Sequence, residues 1–340
     1  MDKTRFLPYS KAPYDKQFKK ESKRYLAYVK RVFNPYLKKK LKQRKFDYIS
    51  NYFHTKPKDH IDYILNFKNK HRWKKFELIR FDIEKYYPSI DHEKLKTILV
   101  KHYLYSRWAR NLEGKALDIL LEHKFITRYF KYFLNFLDEY LSYSMFPNKG
   151  LLSSNSLTYF LAEIYLFDIL YKVPAHIVRW NDDIILISKK PLKNIFKQLT
   201  YTLYDYNLNV NPIKTKHIFL FKDNFSYIWF TFTKQTNYVY IEEKRIEEYL
   251  LKVNNILFEN IHQRLKTKIR KIRKLQFWFF HYYKICKLKH VWKSINIQTR
   301  NLVRKYLLKY GSLKHNFYIE NQYIYKLWLV DFEKLLNDYS

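Results

Sequence analysis

Two adjacent carboxylates, Asp182 and Asp183, interrupt an apolar run, Ile177-Val178-Arg179-Trp180-Asn181-Asp182-Asp183-Ile184-Ile185-Leu186-Ile187-Ser188. Ionised side chains in a strand-like hydrophobic segment are costly to desolvate, and their mutual repulsion adds to that cost. A cation must sit beside them, and a divalent metal with hard oxygen ligands is the most economical choice. Well upstream, a second apolar segment, Leu78-Ile79-Arg80-Phe81-Asp82-Ile83-Glu84-Lys85-Tyr86-Tyr87, carries Asp82. Three carboxylates on two buried strands make a two-metal site for phosphoryl or nucleotidyl transfer. Asp82, Asp182 and Asp183 are the expected ligands, and two Mg²⁺ ions the expected metals, with Mn²⁺ as a substitute.

The elements that must position these acids can be read from local patterns. Residues 76–90 read as a strand running into a turn marked by Pro88, followed by a helix capped around Ser89 or Asp91. After Pro174 two strands flank Asn181-Asp182, and the apolar stretch Leu157–Leu170 before them reads as a buried helix. Upstream, Lys16–Gln43 has apolar residues at helical spacing, with Pro35 expected as a kink or boundary. Residues 93–145 and 191–206 carry helical patterns, residues 216–233 fit strands, and the pattern turns helical past Tyr240. There Ile261, Leu265, Ile269, Ile272, Leu275 and Phe279 form an apolar stripe, with Arg264, Lys266, Lys268, Arg270, Lys271, Arg273 and Lys274 expected on a basic opposite face.

Composition narrows the partner. The chain has 340 residues, 66 Lys+Arg against 31 Asp+Glu, and a formal net charge of +35, which predicts a polyanionic companion. Aromatic residues make up 20%, enough to argue against disorder and to supply rings that stack on bases. With only Gly114, Gly150 and Gly311, a glycine-rich phosphate loop is excluded. One cysteine, Cys286, rules out an intrachain disulfide and a cysteine zinc cluster. An N-terminal leader and a charge-free apolar run of about 20 residues are both lacking, so no membrane partner and a cytoplasmic location are expected.

Taken in order, these segments resemble the reverse transcriptase family over roughly residues 60–235. Arg80-Phe81-Asp82-Ile83-Glu84-Lys85-Tyr86-Tyr87-Pro88-Ser89-Ile90-Asp91-His92 resembles the first catalytic strand. The resemblance implies that Asp82 binds both metals, that the backbone at Ile83 approaches the triphosphate, and that the Tyr87 ring blocks a ribose 2′-OH. Trp180-Asn181-Asp182-Asp183 resembles the aromatic-x-Asp-Asp hairpin, with Trp180 where tyrosine is usual, against the primer end. Gly150-Leu151-Leu152-Ser153-Ser154-Asn155-Ser156-Leu157-Thr158, leading into Ala162-Glu163-Ile164-Tyr165-Leu166, resembles the loop and helix that support template and nucleotide. The usual Pro-Gln-Gly is missing there, and Ser153 and Ser154 could bond a nucleotide or serve as turn caps.

Asn211-Pro212-Ile213-Lys214-Thr215 resembles the turn whose lysine protonates leaving pyrophosphate, which makes Lys214 the candidate general acid. Phe225-Ser226-Tyr227-Ile228-Trp229-Phe230-Thr231-Phe232 resembles the primer-grip hairpin, with Trp229 in place of glycine. Lys70, Arg72, Lys74 and Lys75 precede the first strand and could hold the triphosphate, Arg72 being the chosen candidate. Arg264, Lys268 and Lys271 would track a duplex backbone.

The implied architecture is α+β, a right-hand polymerase with fingers, a palm of antiparallel sheet and a helical thumb. Its expected regions are a basic helical N-terminal or fingers region over 1–75, a palm with fingers elements over 76–235, and a basic thumb over 236–340. No segment resembling an RNase H or integrase domain is found. Within the family the chain resembles the prokaryotic abortive-infection and defence-associated branch, which implies RNA-directed DNA synthesis from dNTPs in antiphage defence. Its partners would be a structured non-coding RNA and a DNA product. Three alternatives stay open: template-independent or protein-primed DNA synthesis, RNA synthesis on the same architecture, and a non-catalytic RNA-binding protein on a polymerase scaffold. An effector or homo-oligomeric partner is not specified by the sequence.

Overall fold

The computed structural model describes residues 16–54, 56–71, 75–107, 127–144, 146–152, 156–234, 238–259, 263–310, 329, 331, 332 and 335. Arg72, Ser153 and Ser154, and likewise Lys74 and Ile261, lie outside the described residues. The chain divides into two compact units, one within Met1–Tyr63 and Trp73–Phe219, the other within Ile64–Arg72 and Leu220–Ser340.

In the first unit α1 (Lys16–Gln43) runs through Pro35, which lies inside the helix and not at its boundary. Its apolar face, Val29, Phe33 and Leu37, is fully buried, and that packing holds the helix across the missing backbone donor. β1 (Tyr48–Ser50) and the first half of α2 (Pro57–Lys70) follow. Next come β2 (Glu77–Asp82), the single turn α3 (Tyr86–Ser89), α4 (His92–Arg107) and α5 (Arg128–Ser142). The Asp91 carboxylate accepts from the Lys94 N–H at 2.9 Å and so caps α4.

α6 (Ser156–Leu170) is buried from Leu157 to Leu170 except at Tyr159, close to what is expected of a helix apolar nearly all round. It packs against α1, α4 and α7 (Leu192–Asp205). β3 (His176–Trp180) and β4 (Asp183–Ser188) form the hairpin, and β5 (Lys216–Phe219) closes the unit. The five strands are ordered β1-β3-β4-β2-β5. Four of them pair antiparallel, while β1 pairs parallel with β3, so the sheet is mixed where an antiparallel one was expected. Three residues are too few for a period-two pattern to announce β1 in the sequence.

The second unit holds the antiparallel sheet of β6 (Phe225–Tyr227), β7 (Phe230–Phe232) and β8 (Val239–Ile241). Three helices follow, α8 (Glu243–Phe258), α9 (Leu265–Tyr283) and α10 (Lys289–Tyr310), with α9 and α10 both packed on α8. Phe279, Phe280, Trp292 and Phe332 pack together as an aromatic core, with Phe280 stacked on Phe332 and Phe279 edge-on to Trp292. Among the described residues no helix is long and apolar enough to cross a membrane.

Candidate active site

β2 and β4 pair in a register that sets Asp82 directly opposite Asp183. Opposed residues of an antiparallel pair project to the same face, so the two carboxylates share one side of the sheet. Trp180 pairs with Asp183 across the hairpin, which leaves Asn181 and Asp182 as a two-residue turn. Asn181 takes the left-handed conformation at φ 55° that asparagine tolerates better than most residues. The Ile83 N–H donates to the Asp182 carbonyl at 3.3 Å, tying the end of β2 to the turn. Ile83 is therefore buried, with its N–H already bonded inside the protein.

Crowding of like charge marks the turn. Burial, and after it the neighbouring Asp82 carboxylate, pushes the Asp182 carboxyl up to about 6. Burial also raises Asp183, against the pull of Arg80. Arg80 meets Asp183 with both arms of its guanidinium, Nε to Oδ1 at 2.9 Å and Nη2 to Oδ2 at 2.8 Å. The Lys214 ammonium donates to Asp82 Oδ2 at 2.8 Å, which raises the lysine above its ordinary value. Lys214 reaches there because Asn211 shapes its turn. The Asn211 Oδ1 accepts from the N–H groups of Ile213 and Lys214, and the Asn211 N–H donates to the Asp82 carbonyl at 2.8 Å.

No group of three side chains is gathered into a metal-holding cluster among the described residues. Asp183 is committed to Arg80, and Asp82 carries a lysine ammonium where a metal cation would compete. Asp182 has no cation of its own at bonding distance and bears the largest upward push, so the hard oxygen donors that best suit a divalent ion are those of Asp82 and Asp182.

A buried polar network supports the hairpin from behind. Asn51, just past β1, exchanges two bonds with Asn181: its Nδ2 donates to Asn181 Oδ1 at 2.7 Å, and its Oδ1 accepts from the Asn181 N–H at 3.0 Å. Arg179 donates from Nη1 to the Asn181 carbonyl at 3.0 Å and from Nη2 to Glu163. Glu163 and Arg179 are both about 2% exposed, and the Ser50 hydroxyl completes the carboxylate at 3.2 Å. Beside the turn lies a cavity of about 540 Å³, lined by Tyr87, Trp180, Tyr159, Asn34 and the lysines Lys30 and Lys38. Tyr87 meets Tyr159 edge-on, and burial raises its hydroxyl pKa. Trp180 packs edge-on against His60.

Asp82, Asp182, Asp183 and Lys214 thus meet at one end of the sheet, with Tyr87 and Trp180 on the adjoining cavity wall. Trp229, Arg264, Lys268 and Lys271 belong to the second unit. Arg264 precedes α9 and is exposed, as is Lys271, which bonds Gln263. Lys268 departs from the expected basic face. It is fully buried, its ammonium donates to the Leu257 carbonyl and lies 4.4 Å over the Tyr306 ring, because α9 presents that position to its neighbours.

Sequence reasoning passed over Arg80, Asn51 and the Glu163–Arg179 pair. For Arg80 a signal existed: two residues before Asp82 on a strand, it must lie on the same face. A carboxylate inside the apolar run of α6 was a second signal, since a buried Glu163 needs a partner.

No protein-family model matches the chain, and no curated protein does. Among solved structures it is similar to apo telomerase from Candida tropicalis truncated from the C-terminal domain, at 18% identity over 64% of this chain and 45% of that one, TM-score 0.42. It is also similar to full apo telomerase from Candida tropicalis, at 15% identity over 89% and 53%, TM-score 0.43. A third similar structure is telomerase from Candida albicans in complex with a TWJ fragment of telomeric RNA, at 14% identity over 90% and 57%, TM-score 0.42. The chain spans about half the length of these telomerase chains.

Proposed function

We propose that the protein is a nucleotidyltransferase of the reverse transcriptase type, extending a 3′-OH with dNTPs on an RNA template. The observation that carries this reading is the register of β2 on β4, which sets Asp82 against Asp183 with Asp182 on the adjacent turn and Lys214 bonded to Asp82. Asp82 and Asp182 would hold two Mg²⁺, which when bound supply Lewis acidity at the 3′-OH and at the phosphates. Asp183, its charge offset by Arg80, would not be free to bind metal through both oxygens.

Each side chain has a separate task. Lys214 stays protonated through neutral pH and can give its proton to the leaving pyrophosphate. Tyr87 lines the cavity with Trp180, and on the sequence resemblance its ring would exclude a 2′-OH and favour dNTPs. Asn51 and Arg179 hold the Asn181 turn, and through it Asp182, in one position. The strongly basic composition fits an RNA template and a DNA product. On the sequence resemblance the setting is antiphage defence with a structured non-coding RNA, inside the cell.

A primer-free incorporation assay tests this. Purified protein, with co-purifying RNA retained or digested, receives labelled dNTPs and Mg²⁺, with Asp182→Ala/Asp183→Ala as control. Product complementary to the bound RNA, lost on digestion and in the double variant, is the expected result. Product that survives digestion moves the reading to untemplated or protein-primed synthesis, and no product under any condition, with RNA bound, overturns the catalytic reading.

A further inference from the structure

The second unit contains an aromatic pocket with no part in the site above. It measures about 150 Å³, well under the roughly 300 Å³ at which drug-sized ligand pockets begin, so it suits one planar ring system and not a whole nucleotide. Its walls are Trp229, Tyr282 and Trp278, which form a chain of rings with centroids 5.1 and 5.8 Å apart. Arg245 lies 5.1 Å over Trp229, and Lys252 lies 5.9 Å over Trp278.

Three observations point to a ligand. First, two buried polar atoms at the pocket, the Tyr282 hydroxyl and Arg245 Nε, have no hydrogen-bond partner among the described residues. Such atoms are costly unless something completes them. Arg245 Nε lies 3.9 Å from Glu242 Oε2, an ion-pair distance too long for a hydrogen bond, while Arg245 Nη1 donates to Glu248 at 2.7 Å. Second, the β6–β7 turn places Ile228 and Trp229 in left-handed backbone, at φ 47° and 67°. Such turns favour Asn-Gly, and a β-branched residue followed by tryptophan is strained there, so the indole is kept at the cost of an easier turn. Third, Trp278 is 56% exposed and continues a row of exposed cations along α9, namely Lys266, Arg270 and Lys274, each four residues from the next. Residues four apart form one ridge of a helix. A basic ridge ending on an exposed indole is the pairing by which phosphates are tracked and bases stacked.

We propose that the Trp229–Tyr282–Trp278 pocket binds one unpaired nucleobase of a single-stranded nucleic acid whose phosphates follow the Lys266–Arg270–Lys274 ridge. The Glu248 carboxylate at the pocket repels a phosphate but accepts from the amino or imino N–H of a base edge, so the base enters and the backbone stays outside. Binding here needs neither divalent metal nor dNTP, so it stands apart from the catalytic reading.

The test uses the full chain, without Mg²⁺ or dNTP, and a labelled single-stranded DNA of about 12 nucleotides, a length within the range of known single-strand sites. Trp278→Ala should weaken binding by about 5- to 150-fold, the range of one stacking contact. Trp278→Phe should retain most of the affinity, and the Trp278→Ala loss should vanish on an all-abasic strand of the same length. The salt dependence should be unchanged by Trp278→Ala and shallower in Arg270→Ala. Unchanged affinity in a folded Trp278→Ala protein overturns the proposal, as does an equal loss on intact and abasic strands. A Trp278→Ala protein that binds DNA normally but loses self-association would identify the face as a protein interface instead, and would also overturn it.

Discussion

Asp182 is expected to cost the metal-free fold stability, and removing its charge should make the protein more stable while abolishing catalysis. Its carboxyl moves from an ordinary 3.8 to about 6 on folding, so the folded chain takes up a proton more readily than the unfolded chain between these values. An acid raised in the folded state contributes most at low pH, and that contribution is lost as pH rises through about 6. The cost at neutral pH is about 3 kcal/mol, roughly half of that near pH 5 and little below pH 4. Solvent at the partly exposed turn screens the repulsion, which makes about 3 kcal/mol an upper figure. Asp182→Asn should then raise the melting temperature in EDTA by up to about 4 °C near neutrality, with the gain shrinking towards pH 4. Taking the difference between variant and wild type cancels the opposing contribution of histidines such as His60, which burial lowers to about 4. Added Mg²⁺ at a hundred times its Kd should return about 2.7 kcal/mol to the wild type and much less to the variant. A variant no more stable than wild type in EDTA at neutral pH, or a gain independent of pH, would refute the reasoning that the turn is held against its own charge.

Three further outcomes are expected. Glu163→Ala leaves Arg179 buried without its partner and should cost about 3–5 kcal/mol in urea unfolding; a loss under about 1 kcal/mol would mean the pair is not the support of the hairpin. Asn51→Ala removes both bonds to Asn181 and should cost about 1–3 kcal/mol, with kcat falling more than KM rises if the side chain positions the Asp182 turn; an unchanged kcat would reduce it to a structural contact. Lys214→Ala should lower the single-turnover rate by about 100-fold or more with Lys214→Arg intermediate, and because Asp82 raises the ammonium, the wild type should keep this step unimpaired up to at least about pH 10. A loss under about tenfold would leave general-acid catalysis without support.

What could be read from the chain is what a few consecutive residues encode. The short apolar runs of Glu77–Asp82 and Asp183–Ser188, the largely apolar stretch Leu157–Leu170, and the Asn211 side chain that caps its own turn are local patterns, each legible within one element. From these came the three carboxylates and the expectation that buried acids require a cation, while Lys214, three residues past Asn211, came from the family resemblance. Tertiary structure alone decided who answers that requirement. Arg80 closes on Asp183, Lys214 crosses to Asp82 from a separate turn, and Glu163 meets Arg179 from another element. Asn51 reaches Asn181 only because the three-residue β1 lies parallel beside β3. Lys268 looked like one more cation of a basic face, yet helix packing turned it inward onto Leu257 and Tyr306. Periodicity assigns a face to a residue, but the partner met on that face depends on elements distant in the chain, and so does whether a charge ends in water, on a phosphate or in the core.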